Sequence, residues 1–126
     1  MRISEYWKNF RLGEELSISG TFIYNGLRAY HDTDQLDHPE NVFEVLYNLS
    51  VGMERLLKVA VILLEHDDRH DQKKLEKSLI THNHLDLLSR VKKSHNLPFQ
   101  KPHNELLALF SRFYNTYLSS PLVMCH

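Results

Sequence analysis

Residues 39–65 read PENVFEVLYNLSVGMERLLKVAVILLE, and this stretch decides the fold. Pro39 stands where a first helical residue belongs, Glu40 suits the first turn, and no further proline interrupts the run. Steps of 100° per residue put Val42, Leu46, Leu49, Met53, Leu56, Leu57, Ala60 and Leu64 on one broad apolar face. Val45, Leu63, Phe43 and Val61 widen that face to roughly half the circumference, more than a surface helix usually shows. Ser50 and Gly52 interrupt it with small residues, which predicts a close helix–helix crossing at that height. On the opposite side Tyr47, Val51 and Ile62 break an otherwise polar face beside Glu54 and Lys58. Those two charges are four residues apart in the favourable order for an ion pair. A helix of this kind meets two neighbours, and a second subunit is a candidate for one of them.

Outward from this helix, the pattern predicts an all-α fold, a four- to five-helix up-and-down bundle forming one domain over residues 1–126. Ser4 can cap a short helix from Glu5 to Leu12, with Gly13 relaxing the chain. A second helix, Glu14 to about Tyr30, carries Leu16, Gly20, Ile23, Leu27 and Tyr30 on one stripe at alternating spacings of three and four. The polar segment from His31 to His38 reads as a loop, and Glu65 to Asp71 (EHDDRHD) as a turn. Two shorter helices follow, about Gln72 to Leu79 and Asn83 to Ser94, the latter with Leu85, Leu88 and Val91 as its core stripe. After a proline-containing loop, a last helix from about His103 to Leu118 is expected to bury Leu106, Leu107, Phe110, Phe113, Tyr114 and Tyr117.

With 126 residues, 42% hydrophobic and 25% charged, the chain falls in the globular range and suffices for one domain. A net charge of −1 supplies no global basic field, so nucleic-acid contact requires a local patch. The lone cysteine, Cys125, has no partner for an internal disulfide. No signal-peptide pattern opens the chain, and no apolar run approaches the roughly 18 residues of a membrane span. These features predict a cytoplasmic protein with no membrane partner.

Nine histidines raise the question of a metal. His66 and His70 have helical ligand spacing, but Asp67, Asp68 and Asp71 around them make a solvated turn the better reading, so no metal site is expected. His82 and His84 flank a helix start that Asn83 or Thr81 can cap. No glycine-rich phosphate loop, Walker lysine or nucleophile elbow occurs, so no cofactor is implied. Arg90 and His95 remain, separated by Val91, Lys92, Lys93 and Ser94. On a continuous helix they stand about 140° apart around the axis. Such a pair has a chemistry: a cation for a pentavalent phosphate and an imidazole to move the proton of a 2′-hydroxyl. Lys92 and Lys93 would add attraction for RNA phosphates. The spacing is also expected by chance in a chain with seven arginines and nine histidines.

Three segments resemble one family. Tyr47–Leu63 reads as an aromatic, a small residue and Glu-x-x-x-Lys in an apolar run. Thr81-His82-Asn83-His84-Leu85-Asp86-Leu87-Leu88 is similar to a T/G-H-[DN]-L-x-x-L segment with one inserted histidine. Residues Asn104 to Tyr117 look like a terminal aromatic helix. Together, over about residues 39–117, they resemble HEPN domains (higher eukaryotes and prokaryotes nucleotide-binding), particularly plasmid- and defence-associated members. The resemblance implies a helical bundle and a homodimer. It further implies an Arg-x4–6-His pair, matched here by Arg90 and His95, that cleaves RNA without metal as a ribonuclease or toxin. Tyr47, Val51, Glu54, Lys58 and Ile62 are then expected at the cleft or interface. The alternative is a non-catalytic HEPN-like module that dimerises or binds a partner, an antitoxin or an RNA.

Overall fold

The computed structural model describes residues 3–33, 38–65, 72–95 and 97–118, and it is an all-α bundle. Helix α1 spans Ile3–Asp32, α2 Pro39–Glu65, α3 Gln72–Ser78, α4 His84–Ser94 and α5 Lys101–Phe113, followed by a π-helical turn, Tyr114–Leu118. Helix α2 has the bounds its sequence predicts and stands in the middle of the fold. α1 packs along one side of it, while α4 and α5 pack on the other and on each other. Helix α2 thus meets three helices of this chain rather than the two neighbours its pattern predicts. The core gathers Leu57 and Val61 of α2 with Leu79, with Leu87, Leu88 and Val91 of α4, and with Leu107 and Phe110 of α5. A string of aromatic rings, Phe22–Tyr47–Phe43–Phe113, joins α1, α2 and α5 at centroid spacings of 6.3, 5.9 and 5.5 Å.

Small residues fix how closely α1 and α2 approach. A Cβ built on Gly52 would lie 2.7 Å from the Ile23 side chain and 3.0 Å from the Ile23 backbone nitrogen. One on Gly26 would lie 2.7 Å from the Leu49 side chain. Ser19 and Ser50 are also buried in this part of the bundle. The crossing expected at Ser50 and Gly52 is thus made with α1.

Five expectations change. Gly13 does not divide α1: Leu12 is buried just before it and Glu15 is bonded to Arg55 of α2 just after, so packing on α2 outweighs a helical glycine's cost of about 1 kcal/mol. The stripe of Leu16, Leu27 and Tyr30 is not the face α1 buries; these side chains are 52%, 56% and 58% exposed. The buried face instead runs through Leu12, Ser19 and Gly26, at heptad spacing. In α4, Leu85 is exposed, and Leu87 takes its place in the core beside Leu88 and Val91. In α5, Leu106 is exposed, whereas Leu107, Phe110 and Phe113 are buried and Tyr114 is half-buried. The helix also stops at Phe113, so Tyr114 enters the π-helical turn, where its ring is set against His82. The metal candidates His66 and His70, the surrounding Asp67, Asp68 and Asp71, Cys125 and the side chain of Tyr117 lie outside the described residues. Among those described, no helix is long and apolar enough to cross a membrane.

The close crossing makes Gly52 sensitive to one added methyl group. Gly52→Ala is expected to lower stability by about 1–3 kcal/mol despite alanine's better helix propensity. Chemical denaturation followed by circular dichroism measures it.

Candidate functional site

Where α1 and α2 diverge around their crossing, they leave a cavity of about 670 Å³. Tyr47, Val51, Glu54, Lys58 and Ile62 of α2 all line it. Leu12, Glu15 and Phe22 of α1, Leu79 and Tyr114 complete much of the remaining wall. All five α2 residues expected at a cleft or interface are therefore together, and α1 of the same chain lies across the face they share.

Glu54 stands at the centre of the site. Helix α2 buries it to 6% exposure, and an isolated carboxylate there would be costly. His82 supplies the main compensation, its Nδ1–H donating to Glu54 Oε1 at 2.5 Å. Lys58 Nζ stands 3.7 Å from the same oxygen. An ionised carboxylate only accepts, so the bond fixes a proton on Nδ1. The His82 ring in turn stacks on Tyr114, with centroids 3.8 Å apart and planes at 18°. Burial pushes the Tyr114 phenol above its ordinary pKa, with the Glu54 charge adding in the same direction, so the hydroxyl keeps its proton at neutral pH. On the α1 side of the cavity, Arg55 donates to Glu15 at 2.8 Å and lies over the Phe22 ring, 5.7 Å from its centroid. The cavity thus has apolar and aromatic walls and two ion pairs of balanced sign.

Two residues along the chain, His84 has a different part. It is fully buried at the first position of α4. Its Nε2–H donates to the Ser50 carbonyl at 2.7 Å. Ser111 Oγ accepts from the His84 backbone N–H at 2.8 Å and lies 3.1 Å from Nδ1, to which its hydroxyl donates. This network ties α4 to α2 and α5 and uses the neutral ring. Burial drives the His84 pKa below the ordinary value, outweighing the contributions that raise it. The helix start is capped as expected: Asn83 Oδ1 accepts from the N–H groups of Leu85 and Asp86, and Thr81 Oγ1 from that of Asn83.

Arg90 and His95 are elsewhere. All three guanidinium nitrogens of Arg90 donate within the chain: Nε and Nη2 to the two Glu65 oxygens at 2.8 and 2.9 Å, and Nη1 to the Ser78 carbonyl at 3.2 Å. The Glu65 bond holds the guanidinium still more firmly protonated than usual. The bridge joins α4 to the end of α2 and to α3. His95 is exposed and lies past the helix as the C-cap of α4, with extended backbone at φ −137° and ψ 131°. The angular relation expected on a continuous helix therefore does not apply. Lys92 and Lys93 are exposed, the former with Nζ 5.5 Å from the centroid of Phe99. None of these four lines the cavity. Among the described residues, no group of three or more His, Cys, Asp or Glu is arranged to hold a metal ion.

The partnership of Glu54 with His82 spans 28 positions, and no local spacing announces it. The available signal was a carboxylate in an apolar helix, which needs a partner. Comparison with family models, curated proteins and solved structures yields no match.

His84 gives the fold a pH dependence whose sign follows from its depressed pKa. Below about pH 6.5 the unfolded chain takes up this proton more readily than the folded one. Its contribution to stability is therefore fully present above that value and is lost as pH falls through the folded pKa. Urea denaturation across pH 5–8 should show this decline. His84→Asn should be less stable at pH 8 and show a smaller decline.

Proposed function

We propose that the chain is a HEPN-like module that works by binding, with the cavity between α1, α2 and the π-helical turn as its binding site. The observation that carries this reading is the state of Arg90. A ribonuclease of the kind the resemblance implies aims its arginine at a phosphate. Here the guanidinium is engaged by Glu65 and Ser78, and His95 stands beyond the end of the helix. By contrast, Glu54, Lys58 and His82, from two of the segments that carry the resemblance, meet around one carboxylate beside the cavity. They supply the local chemistry for recognition.

The walls favour a flat, largely uncharged group. Phe22, Tyr47 and Tyr114 supply ring surface, while Glu15, Glu54, Arg55 and Lys58 balance in sign and leave no excess charge for a bare anion. An unpaired base of single-stranded RNA fits that description, since such bases stack on aromatic side chains and hydrogen-bond along their edges. The partner is accordingly RNA, engaged through a splayed base.

Anisotropy of a labelled single-stranded RNA should rise on adding the wild-type protein, with the oligonucleotide recovered at full length. Tyr114→Ala removes a stacking surface worth about 1–3 kcal/mol and should weaken binding roughly 5- to 150-fold. RNA cleavage abolished by Arg90→Ala or His95→Ala would overturn the binding-only reading, and absence of any binding would remove RNA as the partner. In the proposed role Arg90 is a clamp, so Arg90→Ala should lower stability by about 1 kcal/mol in thermal unfolding.

A further inference from the structure

The carboxylate on the cavity wall has accepting capacity to spare. Glu54 Oε1 accepts from His82 Nδ1 and stands 3.7 Å from Lys58 Nζ. Oε2 accepts no hydrogen bond from the described residues. Among those residues no side-chain oxygen is both sealed from solvent and unpaired, so Oε2 opens on the cavity that Glu54 lines. A carboxylate offers about four lone-pair positions, and His82 takes one of them. Lys58, one helical turn along on the same wall, keeps ammonium protons to donate, because its approach to Glu54 is longer than a hydrogen bond. The carboxylate is also held in place. His82 bonds it, and the His82 ring stacks on Tyr114, which itself lines the cavity. A group able to read the edge of a base is thereby joined to a ring able to stack on its face.

Resting on the reading of this cavity as a base-binding site, we propose that the base is guanine. Glu54 accepts from its N1–H and 2-amino groups, and Lys58 donates to its O6. The four bases differ in what their pairing edges present. Guanine presents an oxygen acceptor followed by two adjacent N–H donors. Two donors in a row match the two oxygens of a carboxylate, the geometry that makes guanidinium–carboxylate pairs strong. Uracil has a single N–H donor between two oxygens, so one of those oxygens would meet Glu54 as acceptor against acceptor. Adenine and cytosine place a ring-nitrogen acceptor where guanine has N1–H, with the same conflict. A site built to hydrogen-bond its ligand rejects an analogue that leaves the site's polar group unpaired far more strongly than an apolar wall rejects a small change of shape. Lys58, beside the same carboxylate, supplies the donor that the O6 next to N1–H requires. Stacking on Phe22, Tyr47 and Tyr114 is indifferent to sequence, since every base has a ring face, and Glu54 adds the choice. A volume of about 670 Å³ admits a two-ring base. A guanosine within a single strand and a free guanine nucleotide share this chemistry.

Short labelled oligouridine strands with one central position varied test the choice, by anisotropy on the wild-type chain. A guanosine there is expected to bind about 10- to 150-fold more tightly than an adenosine or a uridine, the worth of hydrogen bonds to a charged group. Inosine, which keeps O6 and N1–H but lacks the 2-amino group, should fall between them. Glu54→Gln leaves an oxygen for His82 to bond and replaces the other acceptor by a donor. It should bring the guanosine-to-adenosine ratio close to one with the helical circular dichroism unchanged. If that variant loses its helical signal, the inosine comparison, made on the wild type alone, still decides. Equal binding of guanosine and adenosine strands, or of guanosine and inosine strands, would overturn the proposal and leave base binding in place. A folded Glu54→Gln chain that keeps the full preference would overturn Glu54 as the reader. Preference for guanosine monophosphate over adenosine monophosphate, with no strand bound, would support guanine and make a free nucleotide its source. A wild type that binds neither the strands nor guanosine monophosphate removes the base-binding reading, and the choice of base with it.

Discussion

The close crossing of α1 over α2 is the constraint on which the rest depends. It exists because Gly26 meets Leu49 and Gly52 meets Ile23 where any Cβ would collide. With the helices pressed together at those points, their side chains cannot all interdigitate further along, and a cavity opens near Leu12, Phe22 and Ile62. The same contact fixes the rotation of α1 about its own axis. At the crossing small residues turn inward because only they fit, so Leu16, Tyr24, Leu27 and Tyr30 turn outward. The cavity and the exposed apolar strip are two consequences of one steric condition. A bulkier seam would have pushed the helices apart and turned α1 toward a more ordinary amphipathic orientation.

Within that frame the bundle buries two polar centres and satisfies each differently. His84 is enclosed as a neutral ring between a carbonyl and a hydroxyl, and its bonds run to α2 and α5. That arrangement leaves no reactive position to a visitor and acts as a rivet. Glu54 instead accepts a hydrogen bond from Nδ1 of His82, whose side chain is 41% exposed, and stands near Lys58. The Asn83 cap at the start of α4 separates the two imidazoles, directing one into the core and leaving the other beside the cavity.

The fold was legible in the sequence to the extent that it depends on local periodicity. Helix α2 announces itself through the length of its apolar run and Pro39, and the small residues Ser50 and Gly52 announce the crossing. What could not be read was rotation. On α1 the apolar stripe and the packed stripe differ, because the packed one contains serine and glycine, selected by the distance between helix axes rather than by hydrophobicity. Leu85 and Leu106 likewise lie one or two positions from Leu87 and Leu107, the side chains that enter the core. The cavity residues of α2 were legible as a second, mixed face. Their partners His82, Tyr114 and Phe22 were not, since tertiary contacts at long sequence separation leave no periodic trace.

Arg90 shows why spacing is a weaker guide than environment. Arginine and histidine five positions apart describe a surface only if both stay on the helix, and α4 ends before the histidine. The arginine meanwhile faces a carboxylate at the end of α2, where a planar fork matches two oxygens, and the pairing costs it little freedom once the Ser78 carbonyl is in reach. To serve a phosphate it would have to surrender contacts that join three helices. Glu54 is in the opposite position. Its local contacts hold it in place and leave it on the wall of a cavity with ring surfaces around it. The residue with the more suggestive motif is thus committed to the fold, and the residue with the plainer one faces the space where a ligand can enter.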